Sequence, residues 1–556
     1  MKFKFIILPT LILAFLLTFF HIFLRDNITS SEGIMPLALT KKIILVPLDS
    51  RPPCRKMPID VGKVAGIDVV TPDSSLLDYY SLAGDTKKMR EWLLQNSSNS
   101  NAIIVSIDQL LYGGLLAARE NTAAPEEINE LLDFLQELHE KNPATPIYAF
   151  SILPRQIPQD TIDGYDERKA LVAYSRLKGR EKAGLAVDEK EIASLEQTIP
   201  PASLKKYLEH FKANRELNEK LIDLAKNSTI TQLILGQDDG EPYSIPNIEK
   251  EKLIKYITEG NAQNNVILTH GADEIALSAL AEFVTKDNNT KPKVYVKYNS
   301  EYTPSYIMPY MAIDNATTVQ EKLALTGCEL ANTESEADFI LIVSANDSDY
   351  GLNSRSEMLS YIKSISQQKP VALVDLSKHF AARECVMPLL INDNFPLNSL
   401  IAYAGWNTTS NAVGTAVAAG SIYIASQQQA KSLDEAVSIT AANLKNLHNR
   451  ILEDYFYLKE DIDTVNSALK KAGFINTADL DLLHNHRYAA NLLHNSLDKH
   501  IALYKNSKAY RTPVKFTSAY GDFTLSTYDL TVDAGFPWPR TFEIYLDSTP
   551  FFILKH

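Results

Sequence analysis

Short runs of apolar residues recur along this chain, and nearly every one ends at a carboxylate, an amide or a base. Ile43-Ile44-Leu45-Val46 leads into a proline-rich loop with Asp49 and Arg51. Residues 102–107 end at Asp108, followed by Tyr112-Gly113-Gly114, and residues 147–152 end at Leu153-Pro154-Arg155. Leu233-Ile234-Leu235-Gly236 runs into Gln237-Asp238-Asp239-Gly240-Glu241, and residues 266–268 run into Thr269-His270-Gly271-Ala272-Asp273-Glu274. The second half repeats the pattern, with residues 340–343 before Asn346-Asp347, 371–374 before Asp375, and 400–403 before Gly405-Trp406-Asn407-Thr408 and Asn411. Runs of four to six apolar residues with helix-compatible segments between them read as strands buried on both faces. Strand followed by helix, many times over, leaves few folds besides a parallel sheet or barrel built from right-handed βα units.

The expected fold class is therefore α/β: repeated βα units, barrel-like or an open parallel sheet, followed by a second Rossmann-like α/β half. A helical segment and a small β-containing C-terminal tail complete it, with strands at 514–518, 523–526 and 542–546. At 556 residues the chain exceeds one ordinary core. The expected divisions are 1–40, a signal anchor and linker; 41–288, a first α/β domain with a helical insertion at 161–227 that can act as a lid or cap; 289–427, a second α/β domain; and 428–556, the helical segment and tail. The second division falls where Asp, Asn, Lys and Pro cluster, at residues 288–292.

Lys2 and Lys4 precede an uncharged run at residues 5–24, rich in Leu, Ile and Phe. Twenty residues span a bilayer core as a helix, and lysines ahead of the run favour an inside N-terminus. No small-residue cleavage site follows, so an uncleaved anchor is expected, with secretion after cleavage as the alternative. The bulk of the chain then lies outside the cytoplasmic membrane. Three scattered cysteines, Cys54, Cys328 and Cys385, provide neither a disulfide framework nor a thiolate zinc site. A net charge of −13 without a basic run argues against a nucleic-acid partner.

Parallel α/β folds bring strand ends to one face, so these polar residues can converge. Any single Asp or Asn there is also a good helix cap or turn former; the recurrence is what points to a site. Asp238-Asp239 is the sharpest element. Two carboxylates held close do not both ionise easily, so one becomes a general acid near neutral pH. Retaining hexosaminidases that use the substrate's own acetamido group carry such a pair at a barrel strand end, one acid orienting the acetamido group and the other protonating the leaving oxygen. A divalent cation held by Asp238, Asp239 and Glu241 is a competing use. Trp406 beside Asn407 suits a sugar, with its apolar ring face and peripheral hydroxyls, and equally suits a buried strand-to-helix turn. Asp49 with Arg51 reads as an ion pair or a fixed anion contact. His484, His486, His494 and His500 lack a metal-binding pattern. G-x-S-x-G, Walker A and G-x-G-x-x-G motifs are absent, and no cofactor is expected.

Taken in order, Val46-Pro47-Leu48-Asp49-Ser50-Arg51-Pro52, Ser106-Ile107-Asp108 with Leu111-Tyr112-Gly113-Gly114, Gly236-Gln237-Asp238-Asp239, Gly271-Ala272-Asp273-Glu274, Ala402-Tyr403-Ala404-Gly405-Trp406-Asn407-Thr408 with Asn411 and Gly414, and Pro537-Trp538-Pro539-Arg540-Thr541-Phe542-Glu543 resemble the bacterial family designated domain of unknown function 4127. The resemblance runs from residue 42 to the C-terminus and departs at Cys54 and Arg55, after the paired prolines. It implies a bacterial, often exported protein and no particular reaction. The residues themselves point to a glycan hydrolase whose acid and orienting pair is Asp238 and Asp239. Asp49, Arg51, Asp108, Tyr112, Arg155, His270, Asp273, Glu274, Asp375, Trp406, Asn407 and Asn411 are the expected ligand contacts. A non-catalytic envelope protein binding a small polar ligand, and a metal-dependent hydrolase using the same carboxylates, are the alternatives.

Overall fold

The structure, a computed structural model, describes residues 28–30, 34–158, 164–350 and 354–555. The apolar run at 5–24 lies outside the described residues. Among the described residues no helix is long and apolar enough to cross a membrane.

Six parallel strands form the first sheet: β2 (Lys41–Val46), β3 (Ile67–Val70), β4 (Ala102–Ser106), β5 (Ile147–Leu153), β6 (Gln232–Gln237) and β7 (Val266–His270), in the order β3-β2-β4-β5-β6-β7. The sheet is open, which resolves the choice between barrel and sheet. Its strands are apolar on both faces because both faces are covered. Ile43 and Leu45 enter one core cluster, while Ile44 and Val46 enter another on the opposite side.

A second parallel sheet holds β8 (Lys293–Tyr298), β9 (Glu329–Leu330), β10 (Phe339–Asn346), β11 (Val371–Ser377) and β12 (Leu400–Ala404), in the order β12-β11-β10-β8-β9. In each sheet the first strand sits between the second and the third, so the chain winds outward in both directions. Doubly wound sheets of this kind open a crevice at the carboxyl ends of the strands flanking the reversal, β2/β4 and β8/β10 here.

The two sheets share one continuous apolar cluster. Its centre is the helix Thr409–Gln429, buried almost all round, which runs beside the helix Ile275–Asp287. Small residues make that approach feasible. A Cβ on Gly414 would sit 2.5 Å from Glu274 Cγ.

Between β5 and β6 lie three helices, Tyr165–Lys182, Glu189–Thr198 and Pro201–Lys226. The expected insertion at 161–227 is only half an insertion. Leu217, Leu221, Ile222 and Ala225 of the third helix pack into the core of the first sheet, so its C-terminal half is the ordinary crossover helix. Tyr207 and Phe211, nearer its start, join Leu171, Tyr174 and Ile192 in a separate small cluster that forms a cap.

After β12 the chain is helical through Leu433–Arg450, a π-helical stretch Ile451–Asp461, Ile462–Lys471 and His486–Asn506. The tail is an antiparallel sheet of β13 (Val514–Ser518), β14 (Gly521–Gly535) and β15 (Tyr545–Lys555), with β1 (Ile28–Ser30) added along β15. The strand expected at 542–546 begins only at Tyr545. Pro537 and Pro539 break the ladder before it, because proline has no N–H to donate. The connection 536–544 becomes a long hairpin loop that reaches back to the first sheet.

Candidate active site

The carboxyl ends of both sheets face one cleft of about 310 Å³, open to solvent. The first sheet contributes Arg51 after β2, Arg119 after β4, Arg155 after β5, Gln237 to Asp239 at the end of β6, and His270 to Asp273 at the end of β7. The second contributes Tyr310 after β8, Phe380 after β11, and Asn407 and Asn411 after β12. Arg540 and Phe542, from the hairpin loop, close one side.

Asp238 and Asp239 have unlike surroundings. Arg119 donates to Asp238 Oδ2 from Nε at 2.8 Å and from Nη2 at 2.5 Å. Oδ1 of Asp238 accepts the Asp239 N–H at 2.9 Å. Burial alone would raise Asp238, but the Arg119 and Arg155 guanidiniums outweigh it and hold the carboxyl below the usual range. Asp239 is partly open to the cleft. Burial and then the neighbouring Asp238 charge push it up to about 7. One member of the pair is thus anionic at neutral pH and the other is poised to give up or take a proton there.

Arg51 is buried and fixed from two sides. It donates to Asp49 Oδ2 from Nε at 3.0 Å and from Nη2 at 2.6 Å, and to Asp273 Oδ1 from Nη2 at 2.6 Å. Burial opposes its charge, but Asp273 and Asp49 raise its affinity for the proton. Asp273 in turn is pushed up to about 6 by burial, against the pull of Arg51. The guanidinium packs 5.1 Å from the centre of the Trp538 ring, whose other neighbour is Arg540 at 5.0 Å. Trp538 Nε1 donates to Ser50 Oγ at 2.8 Å, which ties the hairpin loop to the turn after β2.

At the other end, His270 Nδ1 meets Glu321 Oε2 at 3.0 Å and Nε2 meets Lys250 Nζ at 3.0 Å. Burial holds His270 below its ordinary value. Neutral imidazole then donates from Nδ1 to Glu321 and accepts from Lys250 at Nε2. Gly271 makes the turn out of β7 at a φ of +106°, a conformation glycine adopts freely.

From the second sheet, Asn407 Nδ2 donates to Asn411 Oδ1 at 3.0 Å, and Asn411 Nδ2 donates to Glu274 Oε2 at 2.7 Å. Glu274 pairs with Lys322 at 2.6 Å, both side chains being 0% exposed. Asn407 (φ 49°), Tyr310 (φ 65°) and Phe380 (φ 54°) all line the cleft in the left-handed region. Asparagine tolerates that region; for the two aromatics it stores strain, which in proteins concentrates at ligand sites.

Of the residues expected from sequence, Arg51, Arg155, Asp238, Asp239, His270, Asp273, Asn407 and Asn411 line the cleft. Asp49 and Glu274 lie one layer behind, holding Arg51 and Asn411. Asp108 is buried and accepts the Ile152 N–H at 3.0 Å, joining the ends of β4 and β5; burial pushes it up to about 7. Tyr112, Asp375 and Trp406 lie away from the cleft as well. Tyr112 ends a short helix, packed beside the core of the first sheet. Asp375 accepts the N–H groups of Val386 and Met387 at 2.8 and 2.9 Å, the helix-capping role open to any strand-end Asp. Trp406 is 4% exposed and turned inward, with Nε1 donating to Thr415 Oγ1 at 3.2 Å.

Sequence reading misses Arg119, Tyr310, Phe380, Arg540 and Phe542. Arg119 carries no local signal, since it sits in the short helix Leu115–Glu120 among residues of ordinary type. Arg540 lies in the conspicuous Pro537-Trp538-Pro539-Arg540 turn, where two prolines around a tryptophan are the available hint.

Two clusters among the described residues have the spacing of metal ligands, and neither includes the acidic pair. In Asp49, Cys54 and Asp273 the Arg51 guanidinium pairs with both carboxylates. In Asp347, His379 and Glu384, Lys378 already pairs with Asp347 at 2.8 Å. Glu241, the third acid of the β6 end, is paired with Arg176 at 2.6 Å.

A family model described as protein of unknown function (DUF4127) matches residues 43–547, and the chain belongs to that family. No curated protein and no solved structure matches the chain.

Proposed function

We propose that this member of the DUF4127 family is an extracytoplasmic hydrolase acting on glycans, with Asp239 as the proton donor to the leaving oxygen. The observation that carries the reading is the division of labour within the adjacent pair. Asp238, clamped by Arg119, stays ionised, and Asp239 keeps a proton near neutral pH at the edge of the cleft. Glycoside cleavage needs both states at once: an acid for the departing oxygen, and an anion to orient an acetamido group or to stabilise the positive charge that develops on the sugar. Tyr310 and Phe380 line the cleft and supply aromatic surface suited to a pyranose ring, where the inward-turned Trp406 does not. Lys2 and Lys4 ahead of the uncharged run at residues 5–24 support an anchor that leaves the cleft outside the cytoplasmic membrane.

A second reading rests on the same cleft. Two doubly wound lobes facing one another also suit a binding protein that holds a small polar ligand. A panel of chromogenic glycosides, neutral, N-acetylated and acidic, separates the two when wild type is compared with Asp239→Asn. The enzyme reading expects turnover by wild type and a loss of about 10²–10⁴-fold in the variant, with binding retained. Tight binding without turnover of any glycoside would replace it by the binding reading. Membrane retention of the full chain after an alkaline wash tests the anchor.

A further inference from the structure

The π-helical stretch Ile451–Asp461 touches two of the turns that build the second sheet's side of the cleft. Asp454 Oδ2 accepts the Gly405 N–H at 2.9 Å, at the head of the turn that carries Asn407. Further along, the Lys459 ammonium lies over the Phe380 ring, 4.2 Å from its centre. Bonding from i to i+5 brings residues five apart onto one side of a helix, where 3.6 residues per turn would rotate them about 140° apart. Lys459 is 5% exposed and, among the described residues, has neither a hydrogen bond nor an ion pair. The acids that feel its charge, Asp375, Asp454 and Glu384, accept from other donors instead. An ammonium buried without a carboxylate is costly, and methionine would fill the same space without that cost. Stability therefore does not account for this lysine, whereas its contact with a cleft residue does. Lys459 and Phe380 also line a small hollow that shares Tyr310, Phe380, Asn407 and Thr408 with the cleft.

We propose that Lys459 is a positioning residue of the cleft, its ammonium holding the Phe380 ring in place as a wall against which the ligand binds. The inference deepens the glycan reading and rests on it for the identity of the ligand. A cation over an aromatic face is attracted by the ring quadrupole, most strongly where water is excluded. The backbone of the turn is set separately, by the Ala381 N–H donating to Ser377 Oγ at 2.8 Å, and that bond places no limit on the Phe380 side chain. Phe380 is only half-buried, so its ring needs a restraint of its own. A ring ordered before the ligand arrives spares the complex the entropy of ordering it. Asp454 serves the neighbouring turn in the same way, through Gly405.

Two measurements on the full chain test the assignment. The first is steady-state kinetics with the chromogenic glycoside that wild type turns over fastest, on Lys459→Met, Phe380→Leu and the double variant. Lys459→Met is expected to raise KM about 3–10-fold with kcat nearly unchanged, and to add nothing in the Phe380→Leu background. Its denaturation midpoint should equal or exceed that of wild type, because no ion pair is lost. The second needs no ligand: Phe380→Trp places an emitter at the site, and its quenching by acrylamide should increase when Lys459→Met is added, after subtraction of the same pair with Phe380 intact. Quenching unchanged by Lys459→Met, or a looser ring with KM unchanged, overturns the inference and leaves the glycan reading standing. A lowered midpoint together with loss of kcat marks a structural role and overturns it as well. A looser ring in a protein that turns over no glycoside keeps Lys459 as the restraint on Phe380 and overturns the glycan reading.

Discussion

Arg119 grips the Asp238 carboxylate through Nε and Nη2 across 119 residues of sequence, and the pair is almost wholly buried. Breaking one side of a buried pair leaves an uncompensated charge. Arg119→Ala is therefore expected to cost about 3–5 kcal/mol, read as a fall in the denaturation midpoint. Arg119→Ala combined with Asp238→Asn should recover part of that loss, since the orphaned charge is then gone. Equal loss in the single and double variants would show that the pair is a bystander.

Acidity offers a second check. Asp239 and Asp108 are pushed up to about 7, and Asp273 to about 6, in each case mainly by burial. Their ordinary value is near 3.8. The folded protein therefore keeps protons that the unfolded chain has released between pH 4 and 7. Linkage then makes the native state less stable as pH rises through that window, the reverse of the usual carboxylate behaviour. Asp239→Asn should flatten the slope and raise the melting temperature at pH 8. If Asp239 is the acid in turnover, wild-type activity also declines as pH passes about 7. A melting temperature that climbs steadily from pH 5 to 8 contradicts this assignment.

Lys322 and Glu274, with Asn411, brace the second sheet against the end of β7. Lys322→Met removes a cation from a site with no solvent access and leaves Glu274 charged there. A loss of about 3–5 kcal/mol is expected by denaturant unfolding. Asn411→Ala is milder, about 1–3 kcal/mol, because it breaks the bonds to Glu274, Asn407 and Thr408 without leaving a buried charge unpaired. It should also loosen Asn407 and weaken ligand binding, whereas a purely structural bond would leave affinity intact.

Trp406 provides the control for the ligand contacts. Trp406→Phe removes the bond to Thr415 and should cost about 1 kcal/mol with unchanged ligand affinity. Asn407→Ala should do the opposite. A drop in affinity for Trp406→Phe, with Asn407→Ala silent, would show that the ligand approaches from the other side of the β12 turn.

The parts of the site that sequence reveals are those whose position follows from chain order. A residue just past a parallel strand must lie at the carboxyl edge, so Asp49, Arg51, Arg155, Asp238, Asp239, His270 and Asn407 are readable from the strand runs alone. Chain order does not say which way a side chain turns. Trp406 and Asp375 occupy the same kind of position, yet one faces the core and the other caps the helix Met387–Asn392. Nor does it reveal partners supplied from afar. Arg119 lies beyond β4, inside a short helix, and Arg540 arrives from a different sheet. The open form of the first sheet also follows from pairings along strand edges, which composition does not encode. The cap was half-legible for a related reason: Leu217, Leu221 and Ile222 repeat at helical spacing as a core-packed helix does, but the charged residues around them mask the stripe.

The hairpin loop between β14 and β15 has a consequence for how the protein comes to exist. Arg540 and Phe542 wall the cleft, and Trp538 bonds to Ser50, whose turn is among the earliest parts of the chain. Nearly the whole polypeptide must be synthesised before this wall can be set. A nascent chain can assemble both sheets and still lack a finished cleft. Products that stop short of residue 540 should be soluble in part but inert, so competence is conferred last and on full-length molecules alone.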